Sequence, residues 1–444
     1  MCSKFWKVSF LILAVAACAG VHPSMAAAQQ GSAASTSSSA SSQLLQYTLP
    51  PDQLQKAYAL YLLYGTLYFV TTAWGLLVLY VMLRTRFGVW LRNLAERASR
   101  VSLLQAAIVM SLFVLVLELA QLPFDGYQHH ISLKYGLSVQ HWGSWFWDWA
   151  KGLLLGFLFA SIAGWGLYAA LRRSPRHWWF YFWLGTIPFV VFILFIQPIW
   201  IEPLFNKFEP LTDHHADLVM QIERVVQRAG MEIPPQRMFE MKASEKTTQL
   251  NAYVTGFGAT KRVVVWDTTM EHMSTPQTLF VFGHEMGHYV LGHVPKQLTI
   301  ILLQLLVLFY VGYRLANWMV ARYGTRRWGM DSLGDWASLP LLVLIISVLT
   351  FLATPAFNAV SRHYEHQADQ YGLEVVHGLV PNAPQAAAQA FQILGERSLD
   401  YPYVGKFAEF WAWDHPTIRD RMIFVQNYDP WGEGREPEYV KGGP

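Results

Sequence analysis

Two kinds of pattern run along this chain. In six stretches nearly every position is apolar: Ala57 to Leu83, Val101 to Leu122, Gly152 to Leu171, Trp178 to Trp200, Leu298 to Trp318 and Ala337 to Phe357. A helix needs about 20 such residues to cross the hydrocarbon of a bilayer, so each stretch predicts a membrane span. Within them the only charges are Glu118 and Arg314, both near a span end, where long side chains snorkel to the interface. Between the fourth and fifth spans the pattern becomes periodic. Leu218, Ile222, Val225 and Val226 recur at helical spacing over Asp213 to Gly230, with Gly230 as the stop. After Pro234-Pro235, Met238-Phe239-Glu240-Met241 and Arg262 to Asp267 read as strands, joined through Asn251 to Gly258. Gly256-Phe257-Gly258 lacks the further glycine of a phosphate loop and reads as a turn. The expected class is mainly α, with a small α+β portion.

Charge placement orients the spans. Arg84, Arg86, Arg92, Arg97 and Arg100 lie between spans one and two, Arg172, Arg173 and Arg176 between three and four, and Arg322, Arg326 and Arg327 between five and six. Arginine in short loops marks the cytoplasmic side. The segment from Ile201 to Gln297 and the tail after Phe357 then share the opposite side. Trp142, Trp145, Trp147, Trp149, Trp178 and Trp179 gather at span ends, as in an interfacial aromatic belt.

Composition agrees: 53% of residues are hydrophobic and 14% charged, so the expected surroundings are a lipid bilayer. The net charge of +3 resides largely in the arginine loops and calls for no nucleic-acid partner. Lys4 and Lys7 precede an apolar run from Val8 to Ala17, the form of a signal peptide (1–28) or an uncleaved signal anchor. Val15-Ala16-Ala17-Cys18 also resembles a lipoprotein cleavage box. A Ser/Ala-rich spacer (29–56) follows. The two cysteines, Cys2 and Cys18, both fall in the leader, which excludes a structural disulfide or a cysteine nucleophile from the mature chain.

The chemistry is concentrated in His284-Glu285-Met286-Gly287-His288, an H-E-x-x-H pentapeptide behind the apolar run Gln277 to Gly283, with Pro276 placed to start a helix. Residues four apart stack on one face of a helix. His284 and His288 are thus placed to share one zinc ion, with Glu285 set to take a proton from water activated there. Gly283 and Gly287 leave room for a close neighbour. Two histidines leave the site incomplete. His293 stands one residue short of the extended H-E-x-x-H-x-x-G-x-x-H pattern and reads as a polar helix end. Downstream, Arg362, Glu365 and Asp369 share one helical face. Glu365 is the expected third ligand, with Asp369 orienting an imidazole and Arg362 balancing charge or clamping a carbonyl. His363 and His366 are rival ligands facing elsewhere.

Taken in order, Pro203-Leu204-Phe205-Asn206-Lys207-Phe208, Asn251-Ala252-Tyr253, Arg262 to Thr268, His284 to His288, Ser361 to Asp369 and His415-Pro416 resemble the type I CAAX prenyl proteases. That resemblance spans about Val101 to Val425. It implies a polytopic helical membrane barrel enclosing a chamber, with a zincin-like (gluzincin) catalytic portion. It further implies one Zn2+ on His284, His288 and Glu365, Glu285 as base and Asp369 as proton donor. Asn251 and His415 would touch substrate or the tetrahedral intermediate, and Arg362 would support the site. The implied organisation is a four-span domain (57–200), a metalloprotease domain (201–424) containing two spans (298–318 and 337–357), and a polar tail (425–444). The expected activity is zinc endopeptidase action on membrane-associated or translocating polypeptides, in a bacterial inner membrane with the site facing the periplasm. The alternatives are prenyl-protein processing and a non-enzymatic membrane chamber or transport protein; an intact Glu285 speaks against the last.

Overall fold

The computed structural model describes residues 45–256 and 260–441. The expected leader with both cysteines, the spacer up to residue 44, and most of the Gly256-Phe257-Gly258 turn lie outside these residues. In chain order the helices are α1 (Pro51–Arg84), α2 (Phe87–Ala98), α3 (Ser102–Lys134), α4 (Trp142–Arg173), α5 (Trp178–Ile196), α6 (Glu202–Phe205), α7 (Ala216–Arg228), α8 (Asp267–His272), α9 (Thr275–Val290), α10 (His293–Tyr323), α11 (Leu339–Val376), α12 (Ala383–Ser398), α13 (Lys406–Ala412) and α14 (Ile418–Asn427). The strands are β1 (Phe208–Pro210), β2 (Met238–Met241), β3 (Ala252–Thr255) and β4 (Arg262–Trp266). The mainly helical class holds. Among the described residues six helical stretches are long and apolar enough to cross a membrane, and each covers one expected span, the second starting one residue later, at Ser102.

Several helices outrun the apolar stretch that predicts them, and this is how the membrane part reaches the site. α11 continues from its expected end at Phe357 to Val376, 38 residues in all, or roughly 57 Å at 1.5 Å per residue. That is about twice the hydrocarbon thickness, so one rigid rod carries both a span and the Glu365 segment. At the other end of the bundle the three arginine-rich loops are knitted together. Arg86 donates to the carbonyls of Arg326 and Arg327 (both 3.2 Å), Arg92 pairs with Asp335 (2.5 Å), and Arg172 donates to the Gly334 carbonyl (2.9 Å). The loops assigned to one side from their charge do meet.

The sheet has order β1-β2-β4-β3, with β2 and β4 parallel and the outer pairs antiparallel. From Val263 to Trp266 β4 is an unbroken apolar run because it is buried on both faces. Val263 and Val265 enter the core shared with α9, while Val264 and Trp266 face a second cluster with Met241. Asn251 to Gly258, expected only as a connection, contains the edge strand β3.

α9 starts as expected: Ser274 precedes it, Pro276 lies in its first turn, and Gln277 reaches back to accept the Ser274 N–H (2.8 Å). It crosses α11 so closely that backbones touch. A Cβ on Gly372 would lie 2.9 Å from the His284 backbone nitrogen, and one on Gly287 would lie 3.1 Å from the Ala368 Cα. The end of the chain, expected as a polar tail, is docked. Glu374, fully buried, accepts the N–H groups of Glu438 (3.0 Å), Tyr439 (2.7 Å) and Val440 (2.8 Å), and Tyr439 and Val440 pack on the core. Part of the expected spacer is docked as well: Tyr47 and Leu49 are buried.

Gly372→Val should therefore push α9 off α11, at a cost of about 1–3 kcal/mol. Thermal melting of the purified protein should show a lower midpoint, together with loss of bound metal. A variant with unchanged midpoint and metal content would mean that the crossing tolerates separation.

Candidate metal centre

α9 and α11 meet at three side chains. His284 Nε2 lies 3.2 Å from His288 Nε2, and Glu365 places Oε2 3.3 Å from His284 Nε2 and Oε1 3.3 Å from His288 Nε2. A tetrahedral ion bound at about 2.0–2.1 Å has ligands about 3.3–3.4 Å apart, since the edge of a tetrahedron is 1.63 times the centre-to-corner distance. The three contacts are of that size, with Glu365 facing one imidazole through each of its two oxygens, so the gap between the side chains is right for such an ion. The chemistry of the donors points the same way. His284 Nδ1 lies 2.8 Å from Asp369 Oδ1; a carboxylate only accepts, so this nitrogen carries the proton and Nε2 offers a lone pair. Glu365 is 7% exposed, and its Oε2 has no hydrogen-bond partner among the described residues. Buried acceptors facing one another without a donor are costly, and a cation removes that cost. The residues fit a metal.

The expected residues divide by position. His284, His288 and Glu365 converge, as read from spacing. His363 and His366 do not join them: the His366 ring packs on Phe424 and that of His363 on Tyr364. His293 does not end the helix that carries His284 and His288. α9 stops at Val290, Gly292 adopts φ +67, and His293 opens α10 with 2% exposure. Asp369, 1% exposed, has both oxygens engaged, Oδ1 by His284 and by Arg421 Nη2 (2.6 Å), Oδ2 by Arg421 Nε (2.8 Å). That arrangement orients a ring and leaves no oxygen for substrate, which does not favour the proton-donor role implied by the resemblance.

Arg362 is turned away from Glu365 and Asp369. It donates to the backbone carbonyls of Glu409 (2.8 Å) and Trp413, while Asn358 donates to that of Trp411 (2.8 Å). The charge-balancing reading is thereby corrected: the cation beside Asp369 is Arg421, and Arg362 supports the site by holding the segment that leads to His415. His415 Nε2 lies 3.2 Å from Glu365 Oε1, and its Nδ1 lies 2.8 Å from Asp414 Oδ1. Burial opposes charge on His415, but the Glu365 and Asp414 carboxylates outweigh it and hold its pKa well above the ordinary value. Burial pushes the Glu285 carboxyl up, against the pull of the His284 and His288 rings. Asn251 stands at the entry to β3, its backbone tied to Thr269 Oγ1 on both sides (2.8 Å each). β3 is an edge of the sheet and packs beside α9.

Sequence reasoning missed Arg421 and Asp414. Arg421 had a signal: it follows Ile418 by three residues and precedes Val425 by four, a charge on the apolar stripe of α14. Asp414 had none beyond standing next to His415.

Residues 213–429 match the family model for peptidase family M48, and residues 33–207 match that for CAAX prenyl protease N-terminal, five membrane helices. The chain is 36% identical over 356 residues to the uncharacterized metalloprotease YhfN of Bacillus subtilis, covering 80% of this chain and 81% of that protein. This chain belongs to peptidase family M48. Among M48 relatives, CAAX prenyl protease 1 of Saccharomyces cerevisiae is 27% identical over 326 residues, 68% of each chain. The crystal structure of S. mikatae Ste24p superposes with a TM-score of 0.72 at 22% identity, over 86% of this chain and 93% of that one, so the M48 membrane fold is shared. This M48 chain is a multi-pass membrane metalloprotease, which sets aside the non-enzymatic reading.

Arg421→Leu should leave Asp369 buried without its cation, held only by the His284 ring, and breaking a buried pair of this kind typically costs about 3–5 kcal/mol. A marked drop in the thermal midpoint, partly restored in Arg421→Lys, is the expected outcome. A midpoint within error of the parent would show the pair to be dispensable.

Proposed function

We propose that this metalloprotease is a zinc endopeptidase, with one Zn2+ held by His284 Nε2, His288 Nε2 and Glu365, acting on membrane-associated or translocating polypeptides. The observation that carries the reading is the convergence of two imidazole nitrogens 3.2 Å apart with one carboxylate, whose two oxygens lie 3.3 Å from one nitrogen each and whose Oε2 has no hydrogen-bond partner among the described residues. Zinc suits two imidazoles and a carboxylate with a fourth position left open. When bound there it supplies Lewis acidity toward water and the scissile carbonyl.

The chain's own groups do the rest. Glu285 stands one position round the helix from His284, and burial has raised its proton affinity toward that of a useful base. It takes the proton of the attacking water at its carboxylate and returns it to the departing amine. His415 is oriented by Asp414 at Nδ1 and presents Nε2 beside Glu365, where an Nε2–H would be a donor for the carbonyl oxygen as negative charge develops. Asp369, fixed by Arg421, keeps the His284 ring in register and is a positioning group. β3 offers its free edge to an extended peptide, with Asn251 at its entry.

The arginine loops favour a cytoplasmic position for their end of the bundle, and the zinc helices then face the other compartment, the periplasm of a bacterial inner membrane. Relatives named CAAX prenyl protease 1 make prenylated tails the second reading. Such tails are made in the cytosol, so location separates the two.

Purified protein should contain one zinc per chain and cleave unstructured peptides. Glu365→Ala should lose most of the zinc, whereas Glu285→Gln should keep it and lose turnover. Full zinc and activity in Glu365→Ala would return the third-ligand question to His363 and His366. For orientation, alkaline phosphatase fused after Pro444 should be active and a cytoplasmic fluorescent reporter silent. The reverse pattern would put the site in the cytosol and restore the prenyl-protein reading.

A further inference from the structure

His288 is a zinc ligand in the reading above, yet among the described residues no carboxylate holds its second nitrogen as Asp369 holds that of His284. Its Nδ1 instead lies 3.1 Å from Nδ1 of His293, whose Nε2 lies 3.1 Å from Gln367 Oε1. The Gly292 turn at φ +67 folds His293 back onto the helix it follows. There the His293 ring is 2% exposed and stacked on Tyr364, with centroids 4.5 Å apart and planes at 12°.

We propose that His293 and Gln367 form a positioning relay that fixes the tautomer and ring orientation of His288. The direction of each hydrogen bond follows from its far end. An amide oxygen only accepts, so His293 Nε2 carries a hydrogen. The neutral His293 ring then has a lone pair at Nδ1, and the nitrogen facing it, His288 Nδ1, must be the donor. His288 Nε2 is left as a lone pair aimed at His284 and Glu365. Gln367 sits midway between Glu365 and Asp369. One stretch of α11 therefore supplies a ligand, the brace for His284 through Asp369, and the brace for His288 through His293. A neutral relay differs in kind from the Asp369 brace: it fixes geometry without adding charge.

The inference rests on the zinc reading, and its test separates the two. Full-length protein in detergent is stripped with a chelator, and Zn2+ affinity is measured by competition with a chromophoric chelator. The Co2+ form gives a visible spectrum that reports ligand geometry without turnover. His293→Phe keeps the Tyr364 stack and removes the acceptor. Affinity should fall about 10–100-fold and the Co2+ bands should shift. Gln367→Met should also weaken binding, whereas Gln367→Glu, which still accepts from His293, should hold it. Parental affinity and spectrum in His293→Phe would overturn the relay. So would equal losses in Gln367→Met and Gln367→Glu, because Gln367 would then only fill space. A parent protein that takes up no zinc, or a His288→Ala variant that binds it as well as the parent, would remove the zinc reading and the relay with it.

Discussion

The site depends on one close crossing. Neither α9 nor α11 alone holds a metal: α9 brings two imidazoles, α11 a carboxylate, and all three must approach to a little over 3 Å. Ordinary helix pairs stand 8–10 Å apart, a spacing set by the side chains between them. Here Gly283 and Gly287 on one helix and Gly372 on the other remove those side chains at the contact, so that Gly372 faces the His284 backbone directly. Everything nearby reinforces that geometry. Phe280 and Phe282 of α9 share a core with Tyr371 and Val375 of α11, and Arg421 of α14 ties Asp369 in place beneath His284. The tail strapped to Glu374 closes the far end of α11.

That crossing also joins the membrane to the chemistry. Because α11 is continuous through the last span, the position of Glu365 is fixed by a rod embedded in lipid. α10 likewise leaves the zinc helix through the Gly292 turn and enters the fifth span. The soluble sheet is bolted on separately. Lys246 in the segment before Asn251 pairs with Asp148 near the start of α4 (2.5 Å), and Thr247 and Thr248 donate to carbonyls of the loop between α3 and α4. The edge strand is thus indexed against the membrane helices. In the proposed reading, a peptide lying on that strand would meet α9 at a height set by the bilayer.

The legible parts of the sequence were those where one period or one spacing decides. Six spans show as apolar runs, and two pairs of site residues show as i, i+4 relations on single helices: His284 with His288, and Glu365 with Asp369, the carboxylate that orients His284. What stayed hidden depends on elements brought together from far apart. Arg421 pairs with Asp369 across 52 residues, and His415 reaches Glu365 from a loop that Arg362 anchors. His293 was misread because a glycine in the left-handed region reverses the chain after Val290, a reversal that helical spacing does not reveal. The extent of α11 was hidden for another reason: hydropathy marks where lipid ends, and the helix continues beyond it in the protein core. β3 is four residues long and only partly buried, too short for alternation to mark it. The tail reads as polar because most of its hold on Glu374 is made by the backbone N–H groups of Glu438, Tyr439 and Val440, which leave no trace in side-chain type, with the Tyr428 hydroxyl as the tail's one side-chain donor among the described residues.

X-ray absorption at the zinc edge of the purified protein addresses the central claim most directly, since it counts and measures the atoms around the ion. A site built on His284, His288 and Glu365 predicts one zinc per chain, four-coordinate, with two imidazole nitrogens and oxygen ligands at about 2.0–2.2 Å. A shell with three or more imidazoles, a six-coordinate all-oxygen shell, or protein isolated intact without bound metal would contradict it.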